Sequence, residues 1–177
     1  MPSNHIAPAA DALIETLHAE VEALDSLKAL YDQQLEAIRA DDPGPMDART
    51  TEIQEQTAAL KELNEKSRRQ ARLLGRVLDG VPDEPSLEVL VQTLRDDTAP
   101  AVGDRLAEAQ TAVAEQMQVV SQRRETLRLA LEYAADLNHE LLVAMQAAAS
   151  DTDGQTYTAN GQSEDGPPDR SFVNAIG

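Results

Sequence analysis

The chain has 177 residues, a formal net charge of -17, no Cys, no Trp and only 2% aromatic residues. Such a charge repels nucleic-acid backbones and anionic membrane surfaces, and the lack of Cys removes disulfides and thiolate metal sites. The apolar content is Leu, Ala, Val and Met, which suits one domain of long helices meeting along narrow seams. The acidity fits a salty cytoplasm and fits partner chemistry equally well. Met1-Pro2-Ser3-Asn4-His5 has neither the basic nor the apolar part of a signal peptide. No apolar run approaches the ~20 residues that span a bilayer, so a cytoplasmic protein is expected.

The first helix is predicted over 10–40. Leu13, Leu17, Val21, Leu24, Leu27, Tyr31, Leu35 and Ile38 recur at steps of three and four, the spacing of a one-faced helix close to heptad periodicity. Asp41-Asp42-Pro43-Gly44-Pro45 stops it. A second helix is predicted over 47–79 on a weaker stripe of Ile53, Leu60, Leu63, Ala71, Leu74 and Leu78. Its polar middle holds Lys66, Arg68, Arg69 and Arg72, a run that reads first as a solvated face and second as an anion site. Asp79-Gly80-Val81-Pro82 supplies the stop. Residues 86–95 read as a short helix behind Pro85, with Leu87, Leu90, Val91 and Leu94 as its buried stripe.

Residues 99–149 read as one very long helix. The stripe runs from Val102 through Leu106, Ala109, Val113, Met117, Val120, Arg124, Leu127, Leu131, Ala134, Asn138, Leu141 and Met145 to Ala148, every step three or four. Its length is on the order of 75 Å, against about 45–50 Å for each of the first two helices, so it is expected to outrun them, straight or bent. From Ser150 the chain turns polar and rich in turn-formers, giving an expected division into a helical domain, 1–149, and a flexible tail, 150–177. Phe172, Val173 and Ile176 at its end fit a short docking motif or scattered apolar residues. The expected fold class is all-α: an elongated antiparallel helical bundle or coiled coil, with a very long C-terminal helix and a flexible tail.

Two Asp/Glu-x-x-His spacings, Glu15–His18 and Asp136–His139, match those of di-iron helical bundles. At ~100° per residue, however, Glu15 lies about 200° from Leu13, and Asp136 about 200° from Ala134. Both pairs therefore point away from the apolar stripe, and no metal, cofactor or catalytic residue is expected. Phosphate-binding loops and nucleophile motifs are absent from the sequence.

Arg124 and Asn138 interrupt the last stripe. Asn138 either fixes register in a packed seam or meets a partner that supplies hydrogen bonds. Around it Leu127, Leu129, Leu131, Tyr133, Leu137, Leu141, Leu142 and Val143 cover more than one stripe. A helix apolar on several sides needs cover on several sides. That cover is a partner's amphipathic helix, or else the first helix together with a second copy of the chain.

Two long helices, a short one near residue 90, and a very long one ending in a polar tail resemble the FlgN-type flagellar export chaperones. Gln155-Thr156-Tyr157-Thr158-Ala159-Asn160-Gly161-Gln162 is similar to the family's Thr-x-Tyr-x-x-x-Gly-Gln segment. Ser121-Gln122-Arg123-Arg124-Glu125-Thr126-Leu127 falls where the family often has Asn-Gln-x-Asn-x-x-Leu. Gln122 and Leu127 match, while Ser121 and Arg124 replace both Asn. The resemblance covers roughly 10–162. It implies a cytoplasmic chaperone that binds the terminal helices of hook-associated junction proteins and delivers them to the type III export gate. Mapped onto this chain, it implies substrate binding by Leu127, Leu131, Tyr133, Ala134, Leu137, Asn138, Leu141 and Met145, and gate docking by Tyr157, Gly161 and Gln162. The competing expectations are a structural coiled-coil adaptor or homodimer without an export role, and, least favoured, a carboxylate metal enzyme.

Overall fold

The structure, a computed structural model, describes residues 3–40, 42, 44 and 46–152, without the side chains of residues 3–5, 97, 98 and 150–152. Its described residues form four α-helices and no strand: α1 (Ser3–Arg39), α2 (Met46–Val77), α3 (Leu87–Thr93) and α4 (Pro100–Thr152), with a π-helical turn at Leu94–Thr98. The chain divides into two compact units, Met1–Ala130 and Leu131–Gly177.

The first unit is an all-α bundle built on two core clusters. In one, Ile6, Ala10, Leu13, Ile14 and Leu17 of α1 meet Ala71 and Leu74 of α2, Leu90 and Val91 of α3, and Leu106 and Ala109 of α4. In the other, Leu24, Leu27, Tyr31 and Leu35 of α1 meet Val120 and Leu127, with Ile53 and Leu60 of α2 packed against them. The C-terminal part of α2 thus lies by the N-terminal part of α1, so this pair is antiparallel. α1 and α4 run parallel. Arg105 pairs with Asp11 at 2.9 Å and Arg123 with Asp32 at 3.2 Å, and the Gln116 amide donates to Asp25 between them. The order is up, down, up, with 78–99 carrying the chain back.

Helix α1 starts at Ser3, seven residues before the expected start at residue 10, and runs through Pro8. The proline lacks one N–H near the helix start, but Ile6 and Ala10 are buried on either side of it, and that burial holds the first turns in the helix. α1 also buries more than its stripe. Ala23, Ala37, Thr16, Glu20 and Gln34 are buried too, while Val21 and Ile38 are only half-buried. A helix covered by α2 on one side and α4 on another needs a wider face than a two-helix seam.

The return segment is shaped by its sequence. Gly80 adopts φ +75, the left-handed conformation that suits a residue without Cβ just beyond a helix. Ser86 caps α3, its side chain accepting from the Val89 N–H. The helix closes in the wide turn at Leu94–Thr98, where the Ala99 N–H donates to the Leu94 carbonyl at 2.9 Å. This keeps Leu94 fully buried while Pro100 opens α4, where a missing N–H is harmless. Gly103 lets α4 press against this corner: a Cβ there would stand 3.1 Å from the Arg95 nitrogen and 3.2 Å from the Val91 carbonyl oxygen.

Candidate functional site

Among the described residues the exposed large hydrophobic side chains gather on α4. Of the eleven exposed large hydrophobic residues among those described, eight fall between Leu129 and Met145. At ~100° per residue, Leu131, Ala134, Leu137, Asn138, Leu141, Leu142 and Met145 occupy one arc about 140° wide. Tyr133 stands at its margin, one turn before Leu137, and Val143 lies on the other side of the helix. Leu141 and Met145 are 60% and 67% exposed, and Ala134 alone from 131 to 149 is half-buried. Asn138 is exposed within the arc, and no seam among the described residues covers its amide.

Leu127 behaves differently from the other seven sequence-derived contact residues. It is 8% exposed and packed with Tyr31, Leu35 and Val120 in the second core cluster. The open apolar surface therefore begins after it. Nearby, burial pushes the Tyr31 hydroxyl above its ordinary pKa, and the Arg124 charge pulls it part of the way back. Arg124 is itself exposed, a rim residue beside the core. Glu15, His18, Asp136 and His139 are all exposed, and no group of three His, Cys, Asp or Glu among the described residues is placed to hold a metal ion.

Periodicity gave no sign of a second feature in the first unit. A cleft of about 660 Å³ opens between α2 and α4 and is closed at one end by 84–87. Leu17, Ala71, Val113 and Met117 give it apolar walls, and Arg68 and Arg72 form its α2 rim. Glu20 lines it as well, 3% exposed, with one carboxylate oxygen lacking any partner. Desolvation raises its pKa, and the Ser67 hydroxyl beside it opposes part of that rise. The only sequence signal for it was a Glu three residues beyond a core Leu, on the inward side of α1.

The sequence agrees with one family over most of its length. The model of the FlgN protein family matches residues 1–165. The chain belongs to the FlgN family. FlgN proteins are flagellar export chaperones, so the activity to be explained in this member is protein binding. Neither a curated protein nor a solved structure matches the chain. The FlgN match extends past Tyr157, Gly161 and Gln162, which lie outside the described residues. No helix among the described residues is long and apolar enough to cross a membrane.

Proposed function

We propose that this FlgN-family chain holds the terminal amphipathic helices of flagellar hook-associated junction proteins in the cytoplasm and delivers them to the export gate. The observation that carries the reading is the concentration of exposed Leu, Met and Tyr side chains on one stretch of α4. Monomeric proteins seldom leave so continuous an apolar surface bare without a partner for it. An amphipathic helix laid along the arc would meet Leu131, Leu137, Leu141 and Met145 as anchors, with Ala134 allowing close approach and Tyr133 at the edge. Asn138 supplies a donor and an acceptor to the same partner.

Each buried anchor is worth about 1.5–3 kcal/mol, and ordering the partner helix takes back several kcal/mol. The complex is thus tight enough to cover a sticky helix and weak enough to release it. Tyr157, with Gly161 and Gln162, serves as the gate contact in this reading. A Tyr in a polar segment has little to bury against within its own chain, and it makes a good anchor in a partner's pocket.

The test is titration of the chain with the terminal helix of a hook-associated protein. Leu131→Asp and Leu141→Asp should each weaken binding by more than about tenfold while far-UV circular dichroism stays unchanged. Full affinity in both variants would remove the arc from the reading. Tyr157→Ala should reduce motility and leave the substrate affinity intact; normal motility, or a lost substrate, would end its docking role. If the chain instead forms a dimer that no junction-protein helix displaces, it is a structural adaptor.

A further inference from the structure

The basic residues of this chain are not spread evenly. Residues 61–76 hold six of the 15, Lys61, Lys66, Arg68, Arg69, Arg72 and Arg76, against two carboxylates, Glu62 and Glu65. This is a local excess of four positive charges in a chain of net charge -17. Elsewhere the bundle neutralises its arginines internally: Arg95 on Asp104, Arg105 on Asp11, Arg123 on Asp32. No ion pair of this kind reaches Lys61, Arg68, Arg72 or Arg76 among the described residues, and all four are exposed. Together with Arg69 they fall within about 100° of the α2 surface at ~100° per residue, on the side away from Leu74, with Arg68 nearest Ala71. Arg69 turns its Nε back to the Glu65 carbonyl, which leaves Arg68 and Arg72 as the pair at the cleft.

The cleft adds an apolar socket beside that stripe. Met117, 49% exposed, lines the α4 wall opposite Arg68 and Arg72 on α2. Leu17, Ala71 and Val113 line the interior beside the buried Glu20, and the exposed Glu84 stands at the 84–87 end, so the carboxylates of a ligand are directed to the arginine side. Its volume of about 660 Å³ is within the range of sites that bury several side chains. An apolar socket with two unpaired guanidinium groups on its rim suits an apolar side chain flanked by carboxylates. A guanidinium takes a carboxylate in a planar two-point contact. The rest of this chain repels an acidic partner, so the stripe concentrates such a partner at this one place.

We propose that the α2–α4 cleft of the first unit is a docking site for an acidic amphipathic peptide segment of another protein, which seats an apolar side chain against Met117 and its carboxylates on Arg68 and Arg72. The site is separate from the apolar arc at 131–145 and does not depend on that arc's role. It selects by charge as well as by burial.

The experiment uses the full chain carrying Leu131→Asp and Leu141→Asp, so that the arc cannot capture the probe. The probe is a fluorescein-labelled synthetic helix with Leu at i, i+3, i+4 and i+7 and Glu at the flanking positions. The controls are the same helix with Lys for Glu, and a short single-stranded RNA. The acidic helix should bind, the basic one should not, and raising the salt from 50 to 300 mM should weaken binding. Arg68→Glu with Arg72→Glu should weaken it by about tenfold or more, the equivalent of about 1.4 kcal/mol, while Arg68→Lys with Arg72→Lys, which keeps the charge and loses the planar fork, should give an intermediate affinity. Both sites are exposed, and circular dichroism checks that the helices persist. Equal affinity for the acidic and basic helices, unchanged affinity in the charge-reversed chain, or no binding at millimolar peptide would overturn the proposal. RNA bound more tightly than the acidic helix would overturn it in favour of a phosphate backbone. A change in self-association on charge reversal, without a change in peptide binding, would assign the cleft to a second copy.

Discussion

Leu127 and Leu141 lie on the same helix fourteen residues apart, and sequence periodicity treats them alike. Their surroundings differ. Leu127 is 8% exposed within a cluster with Tyr31 and Val120, whereas Leu141 is 60% exposed. Leu127→Ala deletes three buried carbons from a packed site and should cost about 3 kcal/mol, the transfer loss plus the cavity left behind. For a chain of this size that corresponds to a fall in Tm of about 6–12 °C. Leu141→Ala removes a side chain that keeps less than half of its surface from water, so it should cost under about 1 kcal/mol and about 3 °C or less. Tyr31 reports on the Leu127 cluster. In a Tyr133→Phe, Tyr157→Phe background it is the single fluorophore, and its transition can be followed beside far-UV circular dichroism. Substrate affinity should respond in the opposite order. Equal shifts in Tm, or a Leu127→Ala chain that melts normally yet loses substrate, would put Leu127 on the docking surface and refute the division drawn here.

Gly103→Ala should lower stability by about 1–3 kcal/mol, the usual cost of overpacking, because the added methyl meets the backbone at Arg95 and Val91; an unchanged Tm would mean that this corner yields. Glu20→Gln should raise Tm at pH 7. The native pKa of Glu20 is raised by burial, so its charged form is penalised in the fold. The penalty is absent below the ordinary 4.5 and grows as pH rises through the raised value. The two chains should therefore melt together near pH 4, and a variant less stable than the parent at pH 7 would sink the argument. Finally, Tm should rise between low salt and about 1 M, because salt screens the self-repulsion of a chain of charge -17 over a Debye length of about 10 Å at 0.1 M. A flat response would show that self-repulsion is unimportant.

The helices were legible because their signals are local. Leu13 to Leu35 and Leu106 to Leu127 repeat at three and four, and Pro43, Gly44 and Gly80 punctuate them. What local pattern cannot carry is the number of neighbours. Thr16, Glu20 and Gln34 are buried because α1 lies against two helices, yet as polar residues they read as solvent-facing. The start of α1 was hidden by Pro8, whose local penalty is overridden by the burial of Ile6 and Ala10. On α4 the apolar breadth was plain, and so was the need for cover. The end of the core was not, since the step from Leu127 to Leu131 is the same four residues as the step from Val102 to Leu106. The Arg run was visible too, but its significance depends on which acidic groups reach it, and that is a tertiary fact.

Charge also bears on how an apolar face can stay bare. Residues 131–149 carry Glu132, Asp136 and Glu140 and no Lys or Arg. Pairing two copies through this face would bury the same leucines as a partner helix does, but would also bring six carboxylates into one assembly. Glu132, Asp136 and Glu140 lie on the side of α4 away from the arc, so their repulsion acts at longer range, opposing the self-pairing that the leucines favour without entering the apolar contact itself. A substrate helix meets no such opposition unless it is acidic. The stripe from Lys61 to Arg76 has the opposite preference, since it attracts carboxylates. Two binding surfaces of opposite sign on one chain need not compete for a partner, because the segment that suits one is repelled by the other. Salt should therefore act on them unequally. It weakens the Arg68–Arg72 site, where attraction is ionic, and strengthens self-association at 131–149, where the mutual repulsion of two chains of charge -17 is the restraint.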